Sequence, residues 1–235
     1  MAALNDAMES RARQRGFRMT VQRQIILEAV QGLDGHITAE AVHARIKELI
    51  AMSNGSALVL FTSWAALNDA VDALRGNLGE EIALYAQDDM PKKMLLERFR
   101  EEKKSCLFAT RGYFQGVDVP GDALRLVIID KVPFPALQDP LLDARREQAG
   151  KESFLRLDVP IAAASLAQAA GRLIRTATDH GVVAILDPRL ATKRYKPLVL
   201  HGVSHMPETN SLREVEEFFI KRLGGSGTRG RGSSR

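Results

Sequence analysis

The sequence predicts an α/β fold: a mainly parallel sheet with helices on both faces, preceded by a small N-terminal helical segment. Three observations lead there. Short, continuously apolar runs recur, at Ala57-Leu58-Val59-Leu60-Phe61, Cys106-Leu107-Phe108-Ala109, Leu126-Val127-Ile128-Ile129 and Gly181 to Leu186. Such runs, without polar alternation, fit strands buried on both faces. Stretches with helical apolar spacing lie between them, and an alternating strand–helix order implies parallel pairing under helical cover. The 235 residues, 45% hydrophobic and 26% charged, have the composition of an ordinary soluble globular protein.

Element by element, the first segment is expected to be all-helical. A helix over Leu4 to Gln14 closes near Gly16. Thr20 has the look of an N-cap, with Gln at the third helical position, and Ile25, Ile26, Ala29 and Val30 follow at helical spacing to Gly32. Thr38 starts another helix whose apolar face is Val42, Ile46, Leu49 and Ile50. After the strand at Ala57–Phe61, Ser63 caps a helix through Leu67, Val71 and Leu74. Then come a strand at Ile82 to Tyr85, a helix from Pro91 to Glu101, a strand at Ser105 to Ala109 and another at Arg125 to Asp130. Helices follow at Pro140 to Gln148 and about Pro160 to Leu173; Gly181 to Leu186 is the last strand and Leu212 to Arg222 the last helix. The expected division is residues 1–50, residues 52–222 and a flexible basic tail, residues 223–235, rich in glycine and serine.

Charge narrows the function classes. The net charge is +4, but Lys221, Arg222, Arg229, Arg231 and Arg235 cluster at the C-terminus without an acid among them. The rest carries 28 basic against 29 acidic residues, so the body offers no general electrostatic case for nucleic-acid binding. The single cysteine, Cys106, cannot form an internal disulfide or supply the thiolate cluster of an iron–sulfur centre, and it reads as a buried strand residue. No apolar run reaches the roughly 20 residues of a membrane span, and the polar start, Met1 to Arg15, is unlike a signal peptide. No membrane association and a cytoplasmic location are expected.

Three strand or helix ends carry unusual sequence. Leu58-Val59-Leu60-Phe61-Thr62-Ser63 ends in two hydroxyls. Phe108-Ala109-Thr110-Arg111-Gly112-Tyr113-Phe114-Gln115-Gly116-Val117-Asp118-Val119-Pro120-Gly121 is a glycine-spaced loop after a strand. Gln168-Ala169-Ala170-Gly171-Arg172-Leu173-Ile174-Arg175 sets Gln, Gly and two Arg on a helix, where Arg172 and Arg175, three apart, share a face. Taken singly these are ordinary turns and solvated arginines, and Trp64 and Tyr113 fit core or rim packing as well as base stacking. As an ordered set, together with Asp122 to Pro135 and Asp179 to Leu190, they resemble motifs IV, V and VI of superfamily-two helicases, in the DinG/XPD branch.

The resemblance covers about 170 residues and implies a RecA-like motor domain, the C-terminal half of an ATP-dependent DNA helicase. It implies that Arg172 and Arg175, with Gln168 beside them, reach ATP held mainly by a partner motor domain. A guanidinium stays charged and grips phosphate oxygens bidentately, which suits charge developing on a γ-phosphate. Gly116, Asp118 and Gly171 would couple the nucleotide to the DNA groove. Thr62, Ser63, Thr110 and Arg111 would contact the backbone of single-stranded DNA, without reading its sequence. The family's P-loop and acidic metal-binding motif are not in this sequence. Ala149-Gly150-Lys151-Glu152 is a poor P-loop, with Arg145 at the first glycine position and Glu152 where Mg²⁺ needs Ser or Thr. ATP and Mg²⁺ are therefore expected only with a separate ATP-binding motor domain, and no iron–sulfur cluster is expected in this chain. Alone the chain is expected not to turn over ATP.

The first fifty residues point elsewhere. Arg11 to Val30, with Thr20-Val21-Gln22-Arg23-Gln24-Ile25-Ile26-Leu27-Glu28-Ala29-Val30, and then His36 to His43, resemble the opening of a Fur-type metalloregulator, truncated near Ile50. The residues between Glu48 and Leu58 are too few and too glycine-broken for a recognition helix and wing. His36 aligns with a position that often ligates metal in that family, but one histidine is not a site; no metal site is expected. His201 and His205 read as loop residues. Two alternatives to the motor domain follow: a fragment of a Fur-like DNA-binding regulator, and a non-functional fusion remnant.

Overall fold

The computed structural model describes residues 24–28, 38–114, 124–173 and 180–223. The expected helix at Leu4–Gln14, the Thr20 cap, His36, Gly116, Asp118, Gly121, Arg175 and the tail beyond Leu223 lie outside them.

The strands are β1 (Gln24–Glu28), β2 (Ala57–Phe61), β3 (Ala83–Ala86), β4 (Ser105–Thr110), β5 (Leu126–Ile129), β6 (Gly181–Ile185) and β7 (Glu208–Thr209). They form one sheet in the order β3-β4-β2-β5-β6-β1-β7, and every pairing among them is parallel. The helices are α1 (Ala39–Met52), α2 (Trp64–Leu74), α3 (Lys92–Glu101), α4 (Pro140–Ala149), α5 (Val159–Ala170), the short α6 (Arg189–Thr192) and α7 (Lys196–Val199), and α8 (Leu212–Leu223). A π-helical turn, Phe154–Asp158, runs directly into α5.

Strand periodicity divides the core in two. Leu58, Leu60, Leu107, Ala109, Val127, Ile129, Val183 and Ile185 face a layer formed by α3, α5 and α7. Their neighbours Ala57, Val59, Phe61, Cys106, Phe108, Leu126, Ile128, Val182 and Ala184 face α1, α2 and α8. Alternate residues point to opposite sides of a strand, and with both faces apolar the runs lose all polar alternation. Cys106 is fully buried at the centre, and burial pushes its thiol above its ordinary pKa.

The segment before the first apolar strand differs from expectation. Gln24–Glu28 is a strand and not part of a helix: Ile25 and Ile26 pair with Val182 and Val183 of β6. Adjacent β-branched residues are stiff and favour extended backbone. The open edge of β6 then supplies the hydrogen bonds a helix would have made internally, and pairing overrides a weak local preference. α1 does begin as expected, with Thr38 accepting the Ala41 N–H at 3.3 Å. It runs unbroken to Met52 and buries Ile46, Leu49 and Ile50 in the α2/α8 core, so it covers the sheet on that side.

The turn from α1 into β2 is tightly determined. Asn54, Gly55 and Ser56 have consecutive φ values of 54°, 76° and 50°. A Cβ on Gly55 would lie 2.8 Å from the Ser105 nitrogen, so only glycine fits. Ser53, fully buried, bonds the Gly55 carbonyl at 2.7 Å, and Ser56 bonds the Lys103 carbonyl at 3.0 Å.

The helices and strands expected in residues 57–223 are found to within a few residues at each end, and α6, α7 and β7, between Leu186 and Leu212, were not expected. The exception that matters is the end of α5. It stops at Ala170, with Gly171 as its C-cap, and Arg172 and Leu173 follow through tighter bonds to Ala169 (3.2 Å) and Ala170 (3.1 Å). The helical face expected to join Arg172 to Arg175 therefore does not reach Arg172. Gly171, two residues before the expected end, keeps ordinary helical backbone at φ −63° as the chain tightens.

Candidate functional site

The C-terminal ends of the strands lie side by side, and each carries a polar residue. Following the sheet order, they are Gln87 after β3, Thr110 closing β4, Thr62 after β2, Asp130 after β5 and Asp187 beyond β6. In open parallel sheets this edge is where ligands bind.

The residues here bond one another in pairs. Asp130, 5% exposed, accepts the Thr62 N–H at 3.0 Å on one oxygen and the Thr62 hydroxyl at 3.1 Å on the other. It also accepts the Lys131 N–H at 2.6 Å. Burial raises its pKa, opposed by those hydrogen bonds from Thr62 and Lys131. Gln87, also buried, accepts the Thr110 N–H at 2.7 Å and the Thr110 hydroxyl at 3.0 Å, both on its side-chain oxygen. Asp187 accepts the Val132 N–H at 2.8 Å and is gripped by Arg189 at 2.6 Å. Its hydrogen bonds to Asp187 raise the Arg189 pKa, and Arg189 stacks over Phe134 at 5.3 Å.

Thr62 and Thr110 were expected to bond a nucleic-acid backbone. Their donors are instead spent on Asp130 and Gln87, leaving only lone pairs. Ser63, exposed, accepts the Ala66 N–H at 3.2 Å and so caps α2, which leaves its hydroxyl proton available. Arg111 opens a 3-10 turn, Arg111–Phe114, directly after β4. Lys92 donates to the Tyr113 carbonyl at 2.8 Å and lies 4.9 Å from the Tyr113 ring centre. Trp64 is 52% exposed at the start of α2, on the rim rather than in the core.

A cleft opens between the strand ends and α5. It is lined by Thr62, Lys131 and Pro133 on the strand side and by Ser165, Gln168 and Arg172 on the helix side. Thr62, expected at the DNA backbone, thus shares one space with Gln168 and Arg172, expected at ATP. Gly171 sits between the two helix-side residues as the C-cap. Among the described residues that line it, two are cations and none is a carboxylate. This donor set fits phosphate oxygens and offers no oxygen ligand set for a divalent metal; no group of three potential ligands occurs among the described residues.

Asp130, Asp187, Gln87 and Lys131 carried no assigned role in the sequence reading. The signal for three of them was present: a charged residue directly after a buried apolar run, as in Ile129-Asp130-Lys131 and Leu186-Asp187, marks a strand end that something must satisfy. Gln87 had no such signal, because its partner lies on a neighbouring strand. The imperfect P-loop Ala149-Gly150-Lys151-Glu152 is a helix end: the Gly150 N–H bonds the Arg146 and Glu147 carbonyls.

Comparisons with known proteins agree with this geometry. A family model described as helicase C-terminal domain matches residues 46–206. The chain is 43% identical over 195 residues to the ATP-dependent helicase DinG of Mycobacterium tuberculosis (strain ATCC 25177 / H37Ra), a match covering 82% of this chain and 29% of that protein. It is 36% identical over 185 residues to the ATP-dependent DNA helicase YoaA of Escherichia coli (strain K12), covering 77% of this chain and 29% of that one. Among solved structures, an XPD helicase superposes with a TM-score of 0.57 at 16% identity, over 84% of this chain and 37% of its own. The C-terminal domain of the DEAD-box protein Dbp5 superposes with a TM-score of 0.54 at 15% identity, over 86% and 98%. The last two speak to the fold alone, which is RecA-like. The chain spans 29% of the length of these curated relatives.

Proposed function

This chain belongs to the family of helicase C-terminal domains, and from that premise we propose that it is the second motor domain of an ATP-dependent DNA helicase of the DinG type. In this reading Gln168 and Arg172, with Arg175, face the phosphates of ATP held mainly by a separate ATP-binding motor domain. The observation that carries it is the cleft between α5 and the strand ends, cationic and free of carboxylates among its described lining. A guanidinium there stabilises charge that develops on the transferred phosphoryl group. Gly116, Asp118 and Gly171 relay that event toward the DNA. When bound, Mg²⁺ neutralises charge on the phosphates, and its ligands come from the partner domain. The domain serves in the cytoplasm and needs that partner to hydrolyse ATP.

Single-stranded DNA crosses the strand ends. Ser63 and Arg111 supply the donors to its backbone, while Thr62 and Thr110 anchor the two loops that carry them. Such contacts grip phosphates and carry no sequence information. The test is fluorescence anisotropy of a labelled single-stranded oligonucleotide with the purified chain. Binding in the micromolar range, weakened by salt and by Arg111→Ala, is expected. Absence of binding at hundreds of micromolar protein would overturn the DNA-facing half of the reading.

A further inference from the structure

We propose that Lys131 is a further phosphate-binding residue of the cleft, positioned by Asp130, and that its ligand is the polyphosphate of a nucleotide. The inference rests on Gln168 and Arg172 facing the nucleotide, and deepens that reading.

The cleft has two walls. Gln168 and Arg172 stand on the wall formed by α5 and the turn after it; Thr62 and Lys131 stand on the wall formed by the ends of β2 and β5. An anion between the walls needs donors from both. Thr62 has none to give, since its N–H and its hydroxyl proton both go to Asp130, at 3.0 and 3.1 Å. That leaves the exposed Lys131 as the charged donor of the strand wall.

Asp130 does two things for it. It fixes the Lys131 backbone through the 2.6 Å bond from the Lys131 N–H, so the side chain leaves the sheet from a set point. It also keeps its own carboxylate out of this cleft. Asp130 lines a neighbouring space between α1 and α2, with Thr38, His43 and Asp69, while Lys131 lines both. The two adjacent residues thus face their charges differently: the acid is buried and saturated with donors, and the base is presented.

A compact polyphosphate suits a space closed by cations on two walls. A nucleic-acid backbone has the same oxygen chemistry but runs along a surface, so the test separates the two. Amide resonances of the isotope-labelled full chain are followed while inorganic tripolyphosphate, and separately a short oligothymidylate, is added. Tripolyphosphate is expected to move the amides of Thr62, Lys131 and Arg172. Lys131→Gln should weaken that binding about tenfold, as the loss of one charge-assisted contact requires, and Lys131→Arg should retain most of it. Oligothymidylate affinity should change less than twofold, roughly the scale of one distant surface charge. Because Lys131 is exposed, the variant's dispersed spectrum serves as the check that it folds.

Four results would overturn the proposal. One is wild-type tripolyphosphate affinity in Lys131→Gln. Another is loss of oligothymidylate binding alone, which would make Lys131 a DNA contact. If Arg172→Gln weakens tripolyphosphate binding and Lys131→Gln does not, Lys131 is dismissed and the nucleotide-facing reading stands. No response of the wild-type chain to tripolyphosphate removes both.

Discussion

The paired and the exposed polar groups around the cleft have opposite parts to play. On the strand side, Thr62 has both of its donors satisfied by Asp130, as Thr110, farther along the strand ends, has by Gln87. On the helix side, Gln168 is exposed near the end of α5, and Arg172 follows the C-cap Gly171. Thr62 and Asp130 act as a frame, while Lys131 on the same wall and Gln168 on the other are exposed. Residues of one motif set can therefore have different duties. A strand-end hydroxyl that is already paired holds geometry, whereas a side chain past a helix end is placed to meet a ligand.

The largest expected effect tests the frame. Asp130→Ala removes the acceptor of three donors, two of them backbone N–H groups in a part-buried place. Unpaired buried donors cost about 1–3 kcal/mol each, so a loss of roughly 3 kcal/mol or more in urea unfolding is expected once partial rescue by water is allowed for. A loss below about 1 kcal/mol would mean water replaces the carboxylate freely and the strand wall is no frame.

Next in size is a pH effect, whose sign follows from burial. Burial raises the Asp130 pKa in the folded state, so the folded protein binds the proton more tightly than the unfolded chain. Its contribution is then fully present below the ordinary carboxylate range and is lost as pH rises through that range to the raised folded value. Asp130→Asn cannot titrate. The stability difference between wild type and Asp130→Asn should shift in favour of wild type as pH falls through that window, and be flat above it. A flat difference throughout would show that the donors from Thr62 and Lys131 offset the burial fully.

Much of this was legible in the sequence, for an identifiable reason. Strands buried on both faces print themselves as unbroken apolar runs, and β2, β4, β5 and β6 were all placed that way. The Ser63 and Thr38 caps were legible because capping is local. β1 was not: Gln24–Glu28 is decided by the edge of β6, more than 150 residues away, and local spacing favoured a helix. The site divides along the same line. Gln168, Arg172 and Thr62 were found by motif order, but that they share a cleft follows from strand order, which no local pattern encodes. Nor does Thr110 announce that its donors go to Gln87, 23 residues earlier and just past the end of a neighbouring strand.

The smallest expected effect tests the presented groups. Gln168 is exposed on α5, and Gln→Ala trades one good helix former for a better one. Gln168→Ala should change stability by no more than about 0.5 kcal/mol, the range of ordinary surface substitutions. The comparison predicts that this near-silent change still weakens tripolyphosphate binding, because the amide faces the cleft. If Gln168→Ala instead costs as much stability as a buried hydrogen-bond partner, the helix side is also a frame. The contrast between paired and presented groups would then be one of degree, and the ligand-facing role would fall to the exposed Lys131.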